Sequence, residues 1–147
     1  MAQPFTLRFV LADGQADSLD LSQVWEDEAS ARELEDDVIG LFAGEVLLAR
    51  LVVLPADESR GKAVLHAIAQ VASRHGDAEA VETVGFVIEN ATAIVVAQPV
   101  LTEEDDIERA LEPLDTLWEH LFATHGGLLQ VDGEGLYVEE GPVVELP

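Results

Sequence analysis

The segment EVLLARLVVLP, residues 45–55, is apolar at successive positions instead of at alternate ones. A strand with one exposed face alternates apolar and polar side chains. A strand that is apolar on both faces is instead central in a sheet or lies at a subunit interface. The run is much shorter than the roughly 20 residues that cross a membrane, and Arg50 interrupts it. The chain is therefore predicted to fold around a sheet, with residues 46–54 as an inner strand or a subunit interface.

Two further strands are predicted before this segment. FTLRFVL, residues 5–11, places Arg8 on one face and ends at the Asp13–Gly14 turn. DVIGLF, residues 37–42, is followed by Gly44, which suits a turn into the next strand. A helix that runs to Phe42 and is capped by Gly44 remains an alternative for this stretch.

Apolar spacing of three and four predicts two helices in the first half of the chain. Residues 59–75 form the clearer one, and Gly76 follows as its C-terminal stop. Its apolar face consists of Val64, Leu65, Ile68, Val71 and Ala72. Residues 19–36 give a less regular pattern, with apolar residues at Leu21, Val24, Trp25, Ala31 and Leu34.

Alternation and turn residues predict more strands in the second half. Residues 82–100, ETVGFVIENATAIVVAQPV, are predicted to form a hairpin that divides at Glu89–Asn90, and its first arm alternates Val84, Phe86 and Ile88 with smaller or polar residues. Residues 127–146 predict two or three short strands around Gly133–Gly135 and Gly141–Pro142.

A long helix is predicted over residues 102–122, TEEDDIERALEPLDTLWEHLF. Thr102 can cap it with Asp105 at the capping-box position, and the acids at 103–106 suit the positive end of the helix dipole. Pro113 should kink or restart the helix. The carboxylates therefore act as a cap and a solvated face. The apolar face consists of Ile107, Ala110, Leu111, Leu114, Leu117, Trp118 and Leu121.

The order of these elements predicts the fold class. Twice, a strand leads through a proline and an acidic cap into an amphipathic helix that ends at His-Gly, at His75–Gly76 and at His125–Gly126. A ββα–ββα order implies an α+β fold, with a mixed, largely antiparallel sheet and two or three helices packed on one face. Residues 1–147 are predicted to form a single domain, because no linker or low-complexity tract interrupts them.

The charge restricts the classes of partner. Seven basic residues against 30 acidic ones give a net charge of −23 and a pI near 4.1. This field repels phosphate backbones and anionic membranes, so neither nucleic acid nor membrane is expected as a partner. It favours basic partners, and it also keeps an apolar surface dissolved; both interpretations stay open. The N-terminal residues lack the pattern of a secretory signal, so a cytoplasmic location is expected.

No group of residues indicates catalysis or metal binding. The chain has no cysteine. His120 and His125 are five apart and share no helix face, while His75 and His125 suit helix ends. DGQADSLD and DGEGLYVEE lack the ligand spacing of a calcium loop, and no nucleophile motif accompanies a histidine. We therefore expect no enzymatic activity, no cofactor and no metal.

The pattern over residues 36–122 resembles that of the YbjN and type III secretion chaperone-like families. Strands lead to a helix, then to a hairpin with an apolar second arm, an acidic cap and a long C-terminal helix. Small size and strong acidity are shared as well. An N-terminal strand before the first helix and extra strands after the last one depart from that pattern. The resemblance implies a protein that binds a secretion client or a regulatory partner, and it implies no catalytic residue.

Two tryptophans, Trp25 and Trp118, are either core residues or interface anchors. The sequence predicts a non-enzymatic, chaperone-like, protein-binding module that captures a basic or apolar segment and forms a homodimer through the strand at 46–54. An acidic immunity protein or nucleic-acid-mimicking inhibitor is the alternative, and its binding should weaken steeply with salt. The predicted partner-binding residues are Trp25, Val46, Leu48, Val52, Leu54, Leu117 and Trp118.

Overall fold

The strand that starts at Val46 is an inner strand of an antiparallel sheet in the computed structural model of the chain. The structure describes residues 6–12, 25, 30–35, 38–100, 106–124, 126–132 and 134–145. The elements are β1 (Leu7–Leu11), β2 (Ser30–Glu35), β3 (Val38–Ala43), β4 (Val46–Pro55), α1 (Ser59–His75), α2 (Ala78–Glu89), β5 (Ala93–Pro99), α3 (Asp106–Thr124), β6 (Gly127–Val131), β7 (Gly135–Val138) and β8 (Gly141–Glu145).

The described strands form one eight-stranded sheet in the order β2-β3-β4-β5-β1-β6-β7-β8. Every neighbouring pair is antiparallel. β4 lies between β3 and β5, which explains why its sequence is apolar on both faces. The predicted α+β class and the largely antiparallel sheet are confirmed. The turn predicted at Gly44 is also confirmed, at Gly44–Glu45, and residues 38–43 are strand, not helix.

The helices do not pack on one face, as the sequence predicted, but on both. Alternate residues of β1 show this: Phe9 belongs to the apolar cluster under α3, and Val10 belongs to the cluster under α1 and α2. On β5, Val95 and Ile94 divide in the same way. Because both faces of the central strands are apolar, a single helical layer would leave one of them exposed to water.

The ββα–ββα order is also wrong, because residues 78–89 form α2 instead of the first arm of a hairpin. The side chain of Asp77 accepts a 2.8 Å hydrogen bond from the backbone N–H of Ala80, which caps the helix. Ala80, Val84 and Val87 then recur at helical spacing and are buried. Their burial on the sheet outweighs the alternation that favoured a strand.

A second correction concerns residues 30–35, predicted as the end of a helix. They form β2, which pairs with β3 at one edge of the sheet. The rest of that predicted helix, apart from Trp25, lies outside the described residues, and so do the Asp13–Gly14 turn and the Thr102 cap.

The predicted helices at 59–75 and within 102–122 are confirmed as α1 and as part of α3. α3 continues through Pro113 as one helix. The C-terminal strands are confirmed as β6, β7 and β8.

The position of α1 follows from a close approach at its first turn. A Cβ atom on Gly61 would collide with the backbone oxygen of Pro55. The helix can therefore begin directly against the end of β4. It leads over the sheet toward β8, where Val144 lies beside Gly76. The layer of α1 and α2 consequently covers only part of its face of the sheet.

Candidate functional site

The part of the sheet that α1 and α2 leave open is the most distinctive surface of the described chain. Under the helices, Ile94 of β5 and Val10 of β1 are fully buried. Farther along β5 on the same face, Val96 is half-buried and Gln98 is exposed. β4 shows the same gradient, with Leu54 buried and Arg50 exposed. The face therefore passes from core to surface along each strand.

A row of half-buried valines crosses this opening. Val38 of β3 pairs with Val52 of β4, which pairs with Val96 of β5, and Val96 pairs with Arg8 of β1. These four residues are called the valine row. Neighbouring strands lie about 4.8 Å apart, so the row spans roughly 14 Å. At the β2 end the same register begins at Glu35.

A second row lies beside it, one pleat repeat farther from the helices. Arg32 of β2 pairs with Gly40 of β3, Gly40 pairs with Arg50 of β4, and Arg50 pairs with Gln98 of β5. These four residues are called the arginine row, and the two rows together are called the open face. Arg32, Arg50 and Gln98 are exposed. Two guanidinium groups and one amide therefore border an apolar strip.

Gly40 shapes the β2 end of the arginine row. A Cβ atom at this position would lie 2.7 Å from Cε2 of Phe42 and 2.9 Å from Cγ of Leu34, so these two side chains lie over the glycine. The guanidinium of Arg32 is 4.7 Å from the centre of the Phe42 ring, and its Nη2 donates a 2.9 Å hydrogen bond to the Gly44 carbonyl. The ring and the carbonyl hold the guanidinium of Arg32 in place, and the residue is exposed.

Arg8, at the other end of the valine row, is already paired. Its Nη1 donates to Oδ1 of Asp132 at 2.9 Å and to Oε1 of Gln130 at 3.1 Å. The backbone N–H of Thr6 donates to the second oxygen of Asp132. Because the Asp132 carboxylate neutralises Arg8, the available positive charge of the open face comes from Arg32 and Arg50.

This concentration of arginine contrasts with the charge of the whole chain. Three of its seven basic residues, Arg8, Arg32 and Arg50, belong to the open face, while 30 acidic residues give the chain its charge of −23. Among the described residues, Arg50 forms no ion pair. The open face is therefore a local cationic and apolar surface on an acidic protein.

Most of the residues that the sequence singled out for partner binding are interior. Leu48, Leu54 and Leu117 are buried. Trp25 is 7% exposed, and its indole donates a 2.8 Å hydrogen bond to the carbonyl of Pro113. Trp118 is 3% exposed and stacks on Phe9, with 5.8 Å between ring centres.

The indole Nε1 of Trp118 has no acceptor within the described part of the chain. Of the remaining predicted residues, Val46 is exposed beside the β3–β4 turn and Val52 lies in the valine row. The predicted set therefore shares no common surface.

The residues of the arginine row were not singled out by the sequence, although a signal was present. Arg50 is the one charged residue within β4, and Arg8 is the one charged residue within β1. A charged residue that interrupts an apolar strand marks a position where that face leaves the core. Only the register shows that Arg32 belongs to the same row as Arg50.

A second exposed apolar group lies on α2. Phe86 is 67% exposed, more than any other large apolar residue of the described chain. Three glutamates surround it: Glu79 is seven residues before Phe86, Glu82 is four before it, and Glu89 is three after it. At these spacings they share its side of the helix. The ring therefore projects alone from an acidic, convex surface.

Two titratable groups with shifted pKa values lie away from the open face. Burial raises the pKa of Asp115 on α3, and the nearby charge of Glu119 raises it further. Burial likewise raises the pKa of Tyr137, which packs partly against the α3 cluster, and Glu134 and Glu145 add to the shift. No group of three potential ligands among the described residues is placed to hold a metal ion.

Comparison of the chain with protein-family models, with curated proteins and with solved structures gives no match. Within the part of the chain that the structure describes, no helix is both long enough and apolar enough to cross a membrane. The open face is therefore interpreted from its own chemistry.

Proposed function

We propose that this protein is a non-catalytic binding module that holds a segment of another polypeptide on the open face. The observation that carries the proposal is the valine row, whose apolar side chains are half-buried in the middle of a sheet. A row of apolar side chains that is left partly in contact with water favours a partner that buries the rest of it. The chaperone-like resemblance of the sequence pattern supports the same class of function.

The shape of the site favours a polypeptide over a small molecule. The two rows run across the sheet on several neighbouring strands, so the site extends over the width of four strands. A partner segment can place apolar side chains on Val38, Val52 and Val96 while its backbone groups meet the donors of the arginine row. This arrangement combines apolar contact in the centre with polar contact at the rim, as in other protein interfaces.

The isolated ring of Phe86 offers less. It is a single anchor on a convex helix, and no row of apolar neighbours accompanies it. Binding hot spots lie in packed pockets from which water is excluded, and a lone exposed ring lacks such surroundings. The main contact is therefore assigned to the open face.

Self-association is a separate proposal. We place the dimer contact at β2, whereas the sequence predicted it at β4. A two-fold contact across the open face would place Arg32 and Arg50 of one copy near those of the other, which like-charge repulsion opposes. β2 is an edge strand without proline, whereas Pro142 lies in the opposite edge strand, β8. Light scattering at micromolar concentration should give twice 15.8 kDa, and a monomer mass would contradict dimer formation.

The test of the binding function uses threonine, which has nearly the shape of valine but carries a hydroxyl in place of one methyl group. We expect wild-type protein to bind a subset of peptides on an array of apolar and mixed sequences. The double variant Val38→Thr/Val52→Thr should lose most of that binding, because the strip is no longer apolar. Val81→Thr, at an exposed valine of α2, is the matched control and should bind as wild type does.

Two results would contradict the proposal: an array on which no peptide binds, or equal losses in the double variant and in the control. Salt separates this function from the rival acidic inhibitor. Apolar capture should persist at high ionic strength, while inhibition through carboxylates should weaken steeply.

A further inference from the structure

We infer that the segment held on the open face carries carboxylates, and that Arg50 with Gln98 recognises them, assisted by Arg32. This inference rests on the proposed polypeptide-binding function and adds the chemical class of the partner. The ligand is an extended segment of another polypeptide in which apolar residues alternate with Asp or Glu.

Arg50 and Gln98 offer hydrogen-bond donors to a carboxylate. Arg50 and Gln98 are adjacent across β4 and β5, and both side chains are exposed. A guanidinium presents five N–H groups in a fork that matches the two oxygens of a carboxylate, and the amide of Gln98 adds two more donors. Arg50 has no ion-pair partner among the described residues, so no described carboxylate competes with a ligand for its donors.

The guanidinium of Arg32 is held in position before a ligand binds. The Phe42 ring and the Gly44 carbonyl hold its guanidinium at the edge of the face. It is two strands away from Arg50, which places the two Cα atoms roughly 10 Å apart. A held side chain loses less conformational entropy on binding than a free one, so Arg32 suits a second carboxylate contact.

The polar and apolar groups of the open face are spaced to suit an alternating sequence. The valine row lies one pleat repeat from the arginine row, so a segment that lies along the face meets apolar and cationic groups side by side. A strand-like segment that alternates Val with Glu presents its two kinds of side chain on opposite sides. Tilted onto the face, it buries one set on the valines, and the longer Glu side chains reach the arginines.

The negative net charge of the chain repels acidic peptides at long range. A measured preference for acidic peptides would therefore have to come from local contacts. At physiological ionic strength, charges farther apart than about 8 Å are largely screened. A carboxylate of the partner therefore responds to the charges nearest to it on the open face more than to the net charge of the chain. A non-specific electrostatic attraction to a chain of charge −23 would favour basic peptides, so a preference for acidic ones points to the arginine row.

The experiment compares two short fluorescent peptides, one that alternates Val with Glu and one that alternates Val with Gln. Gln has the shape of Glu without its charge. By fluorescence anisotropy at physiological salt, the Glu peptide should bind wild-type protein about tenfold more tightly, because each charge-assisted contact replaces a neutral one. Arg50→Gln should reduce this ratio to near one, and Arg50→Lys should leave an intermediate ratio because the charge stays and the fork is lost.

Arg74→Gln is the matched control. It removes the same charge from an exposed position on α1, and the tenfold ratio should remain. The inference is overturned if the Glu peptide binds wild type no more tightly than the Gln peptide, or if the two arginine-to-glutamine variants lower the ratio equally. If both peptides bind with equal affinity, only the inference of carboxylate recognition fails, and the proposed polypeptide binding is unaffected. If neither peptide binds, the proposed function fails with it.

Discussion

Trp118 offers the sharpest test of how the two faces of the sheet divide their roles. Its ring lies on the α3 side, 3% exposed, and stacks on Phe9 with an angle of 7° between the ring planes. Phe122 meets the same Phe9 ring edge-on, with 4.7 Å between centres. We therefore predict that Trp118→Ala impairs folding and leaves the binding surface of the folded molecules intact.

The expected loss is about 3–5 kcal/mol of unfolding free energy, the usual cost of replacing a buried tryptophan or phenylalanine by alanine. For a domain of this size, each kcal/mol lowers the melting temperature by roughly 2–4 °C, so the melting temperature should fall by about 6–20 °C. Trp118→Phe should lose less than half as much free energy. It keeps an aromatic ring on Phe9 and removes a buried indole N–H that has no acceptor in the described chain.

Urea unfolding followed by circular dichroism measures these free energies, and anisotropy with the Val/Gln peptide measures binding. The folded Phe variant should bind the peptide as wild type does, because Trp118 and the valine row lie on opposite sides of the sheet. The reasoning is refuted if the Ala variant loses less than about 1 kcal/mol. It is also refuted if the Phe variant folds stably but fails to bind, since the ring would then be a partner anchor.

Three further variants test single contacts and charges. Trp25→Phe removes the indole hydrogen bond to Pro113 and should lower the unfolding free energy in urea by about 0.5–1.5 kcal/mol. Burial and Glu119 raise the folded-state pKa of Asp115, so the stability that its protonation contributes is present below its ordinary value of about 3.8 and is lost as pH rises through the folded pKa. Asp115→Asn should therefore melt higher than wild type near pH 7, and this gain should vanish toward pH 3. Phe86→Ser should change the unfolding free energy by less than about 0.5 kcal/mol, because the ring is mostly in water.

The inner part of the fold follows from local pattern. Residues 46–54 are apolar at successive positions, which predicted an inner strand, and β4 does lie between β3 and β5 in the sheet. The alternation in residues 5–11 and the helical spacing in residues 59–75 likewise lead to β1 and α1. In each case one periodicity dominates and agrees with the burial that the fold provides.

The errors arise where two periodicities compete. In α2, the alternation of Val84, Phe86 and Ile88 resembles a strand, while Ala80, Val84 and Val87 satisfy a helix. The N-cap Asp77 was the signal that favours the helix, because a capping carboxylate stabilises only that choice. Phe86 is left exposed as a consequence.

Contacts between residues distant in sequence also determine the secondary structure of residues 30–35 and the face of the sheet on which each helix packs. SARELE contains good helix formers, but pairing with β3 brings it into the sheet as β2. Whether helices pack on one or both faces depends on the path of each connection, which local pattern does not encode. The open face is a product of register, since Arg32, Gly40, Arg50 and Gln98 are distant in sequence and adjacent only across four strands.

The central claim is that a polypeptide segment binds on the open face, and paramagnetic relaxation enhancement tests it most directly. A spin label is attached to the Val/Glu peptide, and amide signals of the 147-residue protein are recorded with and without the labelled peptide. The account predicts strong broadening at Val52, Val96 and Gln98, and little at Ala72 in the last turn of α1. Broadening centred on Phe86 and the acidic side of α2, with the valine row unaffected, would contradict it.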